Sequence, residues 1–386
     1  RCTKVWLTAV PAFVVPAVET TAFKDGAPEA AALDLLTLAS LESDPDPALE
    51  ALDAFVEAFA DWVAKQRDRV AGFGEQQREV ADRIVRRSER AVERMRDGVQ
   101  ALRDERVPHI RRAFALGMAA MELQMQQSNK VNDRSGPSRW RPFQLGFLLI
   151  AVASTLDPDH DDRELVDLIW FPTGGGKTEA YLGLAAVEIF RRRLAYGASG
   201  GGTAVITRYT LRLLTSQQFQ RAAALICAME LMRRDDPRVR GLAPFSIGLW
   251  VGNDVTPGSH TGALQSWERL LKAKRPEEAF SFQVESCPWC QTPSLPERQG
   301  KPAEYGARRD GNQVVFHCVD PNCPFFEGLP LQVVDEGLYE EPPTILLATV
   351  DKFARLQFEP RAGRLLGLQT PFVQPSLIIQ DELHLL

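Results

Sequence analysis

The sequence predicts an α/β fold built on a parallel sheet, with a mainly helical region in front of it. Three observations predict this fold. A glycine-rich stretch, TGGGKT at 173–178, lies between an apolar run and a helix-periodic run. Two further apolar runs, at 344–348 and 377–379, end in polar residues, as buried parallel strands do at the edge where ligands bind. Before residue 136, apolar residues recur with a helical period instead.

Length and composition indicate an ordinary folded protein. The 386 residues are enough for two or three domains, and 45% hydrophobic with 25% charged residues is a globular composition. The net charge of −6 excludes a basic field over the whole surface, so any nucleic-acid contact has to come from a local groove. The apolar stretch near the start contains Pro11 and Pro16 and is too short to cross a bilayer. We therefore expect a cytoplasmic protein.

The chain divides into three regions. Residues 1–40 mix a β-like run with prolines, and we predict an irregular or β segment of unknown role. Residues 41–135 form the predicted helical region. Residues 136–386 form the predicted α/β lobe, which is interrupted at 253–343 by an inserted module that contains most of the cysteines.

Three helices are predicted in the helical region. Asp46 and Pro47 are typical of an N-cap and a first helical turn, and two more helices are predicted at 75–106 and 110–127. The second of the three carries a stripe of four arginines with acidic residues beside it: Arg83, Arg87, Arg90 and Arg94. Such a stripe can contact a phosphate backbone, although a solvated face with ion pairs is the stronger interpretation.

The glycine-rich stretch predicts a phosphate-binding loop that holds ATP, with six candidate residues: Thr173, Gly174, Gly175, Gly176, Lys177 and Thr178. The glycines allow backbone N–H groups to close on phosphate oxygens, and the following helix adds the positive end of its dipole. Lys177 can reach the β- and γ-phosphates, and Thr178 can bind Mg²⁺. The strict form of this loop would have glycine at position 171, where Phe171 stands.

Gln144 lies 33 residues before Lys177 and follows Phe143. A glutamine amide can both donate to and accept from the edge of adenine, so Gln144 is a candidate reader of the ATP base. A helix start would explain the same residue. Both interpretations stay open at this point.

The ends of two predicted strands carry candidate nucleic-acid contacts. Arg208 follows the apolar run at 203–206, and Thr349 and Lys352 follow the run at 344–348. In an open parallel sheet, ligands bind where strands end and helices begin, and a Thr-Arg pair there can hold a backbone phosphate. A helix cap with a surface arginine is the alternative for Arg208.

Four of the six cysteines form two close pairs, C-x₂-C and C-x₄-C, separated by 27 residues: Cys287, Cys290, Cys318 and Cys323. Two such pairs can present four thiolates to one Zn²⁺ ion in a closed, structural site. Free thiols or an iron–sulfur cluster are the alternatives, and His317 could replace one of the cysteines. This spacing favours a metal site in a reducing compartment over disulfides.

The last apolar run ends in Asp381 and Glu382, with His384 two residues later. An apolar strand that ends in Asp-Glu, downstream of a phosphate loop, predicts the second half of a nucleotide site. Asp381 would hold Mg²⁺, and Glu382 would orient and deprotonate the attacking water. His384 is better placed to couple hydrolysis to movement of another lobe than to bind metal.

These motifs occur in the order of the first RecA-like lobe of superfamily 2 helicases, which the chain resembles over 139–386: Gln144, the loop at 172–178, Thr207-Arg208, the stretch at 349–351 and the Asp-Glu-Leu-His box at 381–384. More narrowly, the stretches at 170–184, 208–215 and 380–384 resemble the DrmA family, the helicase-like components of bacterial DISARM anti-phage systems. Residues 1–130 lie outside these motifs.

The resemblance implies an ATP-dependent motor that acts on invading phage DNA together with a DrmB-like partner. Its substrate would be single-stranded DNA or DNA with a single-stranded end. It also implies a second RecA-like lobe with arginine fingers, for which this sequence has no counterpart, so we expect a piece of a longer chain that hydrolyses ATP poorly by itself. Two other functions stay open: an ATP-driven protein remodeller, and a zinc-containing assembly scaffold switched by ATP.

Overall fold

A computed structural model describes residues 23–24, 26–169, 176–209, 212–252, 254–354 and 356–381 of this chain. The helices in these ranges are α1 (Pro28–Ala31), α2 (Leu35–Ala39), α3 (Pro45–Val70), α4 (Glu75–Arg103), α5 (Pro108–Val131), α6 (Pro142–Leu156), α7 (Lys177–Tyr196), α8 (Arg212–Asp235), α9 (His260–Lys272), α10 (Pro276–Ala279), α11 (Asp335–Glu340) and α12 (Val350–Phe353). The strands are β1 (Val205–Tyr209), β2 (Ile247–Trp250), β3 (Ala307–Asp310), β4 (Gln313–Phe316), β5 (Leu331–Gln332), β6 (Ile345–Thr349) and β7 (Leu377–Gln380).

Five of the described strands form a parallel sheet in the order β5-β2-β6-β1-β7. Strand β1 lies between β6 and β7, with Val205 opposite both Ile345 and Leu377. Every residue of β2 and β6 is buried, the pattern of parallel strands that are covered on both faces. The predicted α/β fold with a parallel sheet is therefore confirmed.

Strand β5 extends this sheet into the range that the sequence assigned to the inserted module. Leu331 of β5 pairs in parallel with Ile247 of β2. Between β2 and β5 lie α9, α10 and the antiparallel hairpin of β3 and β4. The range 253–343 thus includes one strand of the sheet, and a strand of two residues is too short to be recognised by its periodicity.

The apolar residues before the phosphate loop do not form the predicted strand in their described part. Leu168 and Ile169 are irregular, and the Leu168 side chain is 70% exposed. Asp167, which precedes them, accepts a 2.9 Å hydrogen bond from Arg94 of α4. An apolar run becomes a strand only beside a neighbour that completes its ladder, and in the described sheet the edge strand β7 pairs with β1 alone. Residues 170–171 lie outside the described residues.

The three predicted helices of the N-terminal region are confirmed as α3, α4 and α5. The start of α3 is a correction, because Pro45 occupies its first turn and Asp46 lies inside the helix instead of capping it. The first turn needs no intrahelical N–H donors, so it accommodates proline without loss. The β-like run at 5–10 lies outside the described residues.

Arg90 and Arg94 of the stripe on α4 form ion pairs, as the stronger interpretation expected, but Arg94 does so in a buried position and not on a solvated face. Arg94 is buried, and its guanidinium lies 3.2 Å from Asp162 and also contacts Asp167. Arg90 donates to both carboxylate oxygens of Asp162 at 2.9 Å. The acidic loop after α6 therefore attaches α4 to the lobe, and Arg94 is not available to a nucleic acid.

The helical region and the sheet share one hydrophobic core. Helix α5 packs on α7, and a Cβ at Gly117 of α5 would lie 2.6 Å from the Val187 side chain, so glycine allows the two helices to approach closely. Phe114 and Met118 of α5 belong to the same buried cluster as Val205 of β1. The helices thus support α7, the helix that follows the predicted phosphate loop.

Candidate nucleotide site and metal centre

Helix α7 begins at Lys177, directly after the glycines of the predicted loop. Gly176 is its N-cap and has a φ of +91°, a left-handed conformation that glycine adopts without steric cost. A Cβ at this position would also lie 2.7 Å from the side-chain nitrogen of Gln144. The backbone conformation therefore favours glycine here, and a side chain would displace the Gln144 amide. Thr173, Gly174 and Gly175 lie outside the described residues, so the loop itself remains a prediction.

Gln144 of α6 contacts the end of this predicted loop. Its Nε2 donates a 2.8 Å hydrogen bond to the backbone oxygen of Gly176. Its Oε1 accepts a 2.8 Å hydrogen bond from the backbone N–H of Arg141, the N-cap residue of α6. The helix-start interpretation is therefore correct, and the same side chain also holds the loop. Adenine recognition by Gln144 stays a prediction.

Thr178 lies in the first turn of α7 and is buried. Its Oγ1 donates a 3.2 Å hydrogen bond to Oε1 of Gln218 on α8. Tyr181 follows three residues later on the same face of α7, and its hydroxyl lies 3.4 Å from the same Gln218 oxygen. Gln218 therefore contacts both hydroxyls on this face of α7.

Asp381 directly follows β7 and lies beside the end of β1. Its backbone N–H donates a 3.2 Å hydrogen bond to the backbone oxygen of Arg208. Its Oδ2 accepts a 3.0 Å hydrogen bond from the hydroxyl of Tyr181. Contacts through Gln218 and Tyr181 thus link the two predicted magnesium ligands, Thr178 and Asp381, although 203 positions separate them in sequence. Glu382 and His384 lie outside the described residues.

The described oxygens fit a magnesium ion. Mg²⁺ prefers hard oxygen ligands such as carboxylates and hydroxyls, and usually takes one or two carboxylates together with phosphate oxygens and water. Thr178 gives its proton to Gln218, which leaves the lone pairs of its Oγ1 for a cation. Asp381 supplies a carboxylate on the same side of the sheet.

Glu179, next to Thr178, forms an ion pair with Arg221 of α8. Burial lowers the pKa of the Arg221 guanidinium, and the negative charge of Asp381 acts in the opposite direction. Arg221 is therefore a cation close to the candidate magnesium site, and its position is set by an acidic neighbour on α7.

The three candidate nucleic-acid residues come together at the carboxyl ends of β1 and β6. Tyr209 pairs with Thr349 at this edge, and the Arg208 guanidinium lies 5.3 Å from the ring centre of Phe353. Lys352 is buried, and its Nζ donates a 2.6 Å hydrogen bond to Asp335. A phosphate contact from Lys352 would have to displace Asp335. Nucleic-acid contacts by these three residues stay a prediction. Arg208 is the most exposed of the three.

The four predicted metal-binding cysteines form one cluster whose sulfur atoms all lie within 4.8 Å of one another. The sulfurs of Cys287 and Cys323 are 3.9 Å apart, and those of Cys290 and Cys318 are 3.4 Å apart. In a tetrahedral site with Zn–S bonds of about 2.3 Å, sulfur atoms lie about 3.8 Å apart, whereas a disulfide would bring them to about 2.0 Å. The spacing therefore fits a zinc ion and excludes disulfides among these four residues.

The backbone around each cysteine pair forms a tight turn. The backbone oxygen of Cys287 accepts a hydrogen bond from the backbone N–H of Gln291, which has a φ of +60°. The backbone N–H of Cys287 donates to the backbone oxygen of Thr292. In the second turn, the backbone N–H of Asp320 points at the sulfur of Cys318 at 3.4 Å. Such N–H groups stabilise the negative charge of a thiolate and orient its lone pairs. His317 contacts the backbone oxygen of Cys318 through Nδ1, and it is not among the residues of the four-cysteine cluster.

Burial opposes ionisation of these thiols. It raises the pKa of Cys287 and Cys318, and it raises that of Cys323 to about 12. Cys290 is also desolvated, but hydrogen bonds from Thr292 outweigh this effect and lower its pKa. Three of the four thiols therefore keep their protons unless a cation compensates the charge, so the donor set fits a metal that replaces those protons.

Sequence reasoning missed several residues that build the nucleotide side of the structure. Tyr209 lies at the end of β1, and its hydroxyl is 3.0 Å from that of Tyr181. Gln218 and Arg221 lie on α8 and contact the first turns of α7. Their helical positions are visible in the sequence, but nothing there indicates which helices face each other.

The fold and its two sites define a protein with a parallel α/β lobe, a candidate nucleotide site and a four-cysteine cluster. Over 397 residues the chain is 32% identical to the DISARM protein DrmA of Bacillus paralicheniformis. The match covers 89% of this chain and 34% of that relative, so the chain spans about a third of the relative's length. This chain is DrmA-like over most of its length, which confirms the resemblance. No protein-family model matches it.

Among the described helices, none is both long enough and apolar enough to cross a membrane.

Proposed function

We propose that this chain is the nucleotide-binding part of an ATP-driven DNA translocase or helicase in bacterial anti-phage defence. One observation carries the proposal: Thr178 and Asp381, which the sequence predicts as magnesium ligands, are linked through two side chains. Thr178 contacts Gln218, and Tyr181 contacts both Gln218 and Asp381. The similarity to the DISARM protein DrmA supports the defence role. In this proposal the protein acts with a DrmB-like partner in the cytoplasm.

In this proposal the phosphates of ATP lie at the N-terminus of α7. Lys177 binds the β- and γ-phosphates, and the helix N-terminus adds backbone N–H donors. Thr178 and Asp381 hold Mg²⁺, which when bound offsets the phosphate charge. Glu382 orients the attacking water and takes its proton. His384 couples hydrolysis to the movement of a second lobe.

On the DNA side, the strand ends next to Asp381 supply the backbone contacts. Arg208 is bonded to Asp381 through its backbone oxygen, so a change of nucleotide at Asp381 reaches the arginine directly. Thr349 and Lys352 complete the proposed contact, which holds single-stranded DNA or a single-stranded end. The zinc ion in the four-cysteine cluster is structural, because four cysteines leave no open position for a substrate.

A scaffold role is the second candidate, and the burial of Lys352 favours it. If Lys352 is committed to Asp335 in every state, the DNA surface is reduced to Arg208 and Thr349. ATP would then act as a ligand that fixes the lobe for assembly with a partner. An ATP-driven protein remodeller would use the same nucleotide site without DNA.

ATP turnover by the full-length protein, with and without single-stranded DNA, tests the proposal. We expect DNA to raise wild-type turnover several-fold, and we expect Lys177→Ala and Glu382→Gln to lower it by at least about 100-fold. Glu297→Gln is the control, because Glu297 is exposed in the cysteine module. Turnover that stays at background with DNA and the partner present would support the scaffold role instead.

A further inference from the structure

The hydroxyl of Tyr181 lies between two elements of the candidate nucleotide site. It is 3.0 Å from Oδ2 of Asp381, after β7, and 3.0 Å from the hydroxyl of Tyr209, at the end of β1. The Tyr181 ring itself belongs to α7 and is buried. One side chain therefore connects the helix behind the phosphate loop to the carboxylate that is proposed to hold magnesium.

The direction of these hydrogen bonds follows from the chemistry of the groups. An ionised carboxylate can only accept, so Tyr181 donates its single hydroxyl proton to Asp381. The contact between the two tyrosines then requires that Tyr209 donates to Tyr181. The result is a chain of donors that runs from Tyr209 through Tyr181 to Asp381.

The Tyr181 hydroxyl is held in the packed interior beside the Asp381 carboxylate. A hydrogen-bond donor in a fixed place limits the rotation of the carboxylate that accepts from it.

Thr178 and Tyr181 are three residues apart on α7, so both lie on one face of the helix. Thr178 is the proposed magnesium ligand, and Tyr181 reaches the other ligand, Asp381. The same helix therefore sets the position of one metal ligand and the rotation of the other about its Cβ–Cγ bond. Hydrogen-bond partners of metal ligands act in this way in many metal sites.

We propose that Tyr181, held by Tyr209, is a positioning residue that orients the Asp381 carboxylate for magnesium. This inference rests on the proposed nucleotide site. Tyr181 touches neither nucleotide nor metal in this proposal, so its loss acts on magnesium affinity and leaves metal-free nucleotide binding unchanged. Loss of such a partner typically weakens metal binding by about 10–100-fold.

The test is a magnesium titration of ATP binding by the full-length protein, followed with an ATP analogue that carries a fluorescent label on its ribose. Wild type, Tyr181→Phe, Tyr209→Phe and the control Tyr196→Phe are compared; Tyr196 is on the same helix but 43% exposed. For Tyr181→Phe we expect the magnesium midpoint to rise by about 10-fold or more, and affinity in EDTA to stay within about twofold of wild type. Tyr209→Phe should shift the midpoint in the same direction by less.

The outcomes separate the two claims. If wild type binds the analogue without any dependence on magnesium, the proposed nucleotide site is wrong. If wild type depends on magnesium and Tyr181→Phe has the wild-type midpoint, the nucleotide site stands and the positioning role is wrong. A loss of binding in EDTA as well would mean that Tyr181 supports the fold and not the carboxylate. If Tyr181→Phe does not fold, the midpoint of Tyr209→Phe decides, and a wild-type value there overturns the inference.

Discussion

The side-chain amide of Gln220 donates a 3.1 Å hydrogen bond to the backbone oxygen of Ser286, the residue before the first cysteine of the metal cluster. Gln220 lies on α8 between Gln218 and Arg221, which contact Thr178 and Glu179 on α7. A single turn of α8 therefore contacts both the candidate nucleotide site and the candidate zinc site. Because the two sites share a helix, a shift of α8 at one site would also move its contacts at the other.

The cysteine cluster should hold one zinc ion per chain, and Cys290→Ser should abolish this binding. With free zinc about 1,000-fold above its Kd, the bound ion contributes about 4 kcal/mol to the free energy of unfolding, so loss of the ion should lower the unfolding temperature clearly. Metal analysis of the purified protein and thermal unfolding measure both effects. Cys227→Ala is the matched control, because Cys227 is buried on α8 but does not belong to the cluster.

A folded Cys290→Ser protein with one zinc per chain would show that other residues hold the metal. Acidification should release the metal from the wild type, since protons compete for the thiolates.

Gln220→Leu should keep its zinc but weaken binding of the ATP analogue several-fold, because α8 loses its attachment to the first cysteine turn. Unchanged nucleotide affinity in Gln220→Leu would mean that the shared helix carries no coupling.

Gln144→Ala should weaken binding of the ATP analogue and lower the free energy of unfolding by about 1–3 kcal/mol, because it leaves the half-buried carbonyl of Gly176 and the backbone N–H of Arg141 without this partner. Competition of the labelled analogue with ATP and with GTP tells the two roles of this residue apart. A residue that reads adenine changes the ratio of the two affinities when it is lost. If Gln144 only holds Gly176, its loss lowers the affinities for ATP and GTP by the same factor. Wild-type affinities for both nucleotides would exclude a role of Gln144 in nucleotide binding.

Arg94→Ala should destabilise the protein by about 3 kcal/mol, since it removes the cation that faces Asp162 and Asp167 at the junction of α4 with the lobe. Chemical denaturation measures the change. Arg87→Ala on the exposed face of the same helix is the control and should lie within about 0.5 kcal/mol of wild type. Equal effects of the two substitutions would mean that the buried ion pairs do not attach the helix to the lobe.

Lys352→Met should destabilise the protein by about 3–5 kcal/mol, because the buried Asp335 loses this cation. The double variant Lys352→Met with Asp335→Asn removes both charges and should recover most of this loss. DNA binding by the stable double variant then tests the predicted phosphate contact. If Lys352 contacts the backbone, the slope of log affinity against log salt falls by about 0.7 for single-stranded DNA, and an unchanged slope removes Lys352 from the DNA surface.

Much of the fold and part of the candidate site could be predicted from sequence. The apolar period predicted α3, α4 and α5, and short apolar runs predicted β1, β6 and β7, because such patterns depend on neighbouring residues alone. The spacing of the cysteines predicted their cluster for the same reason. Two parts of the sheet were not predicted correctly: residues 168–169 do not form a strand, and strand β5 was not recognised. Both depend on which strand lies alongside, which the local sequence does not show.

The sequence by itself determined the types of chemical groups that this protein carries and the local elements that hold them. It identified Thr178, Asp381 and the four cysteines as candidate ligands, because a motif is defined by the spacing of residue types within a short stretch of chain. Only the tertiary structure decided that Tyr181 of α7 reaches Asp381, that Gln144 holds Gly176 and that Lys352 is buried against Asp335. These contacts join residues far apart in the chain, and packing of helices on the sheet selects them among many pairs that the sequence alone leaves equivalent.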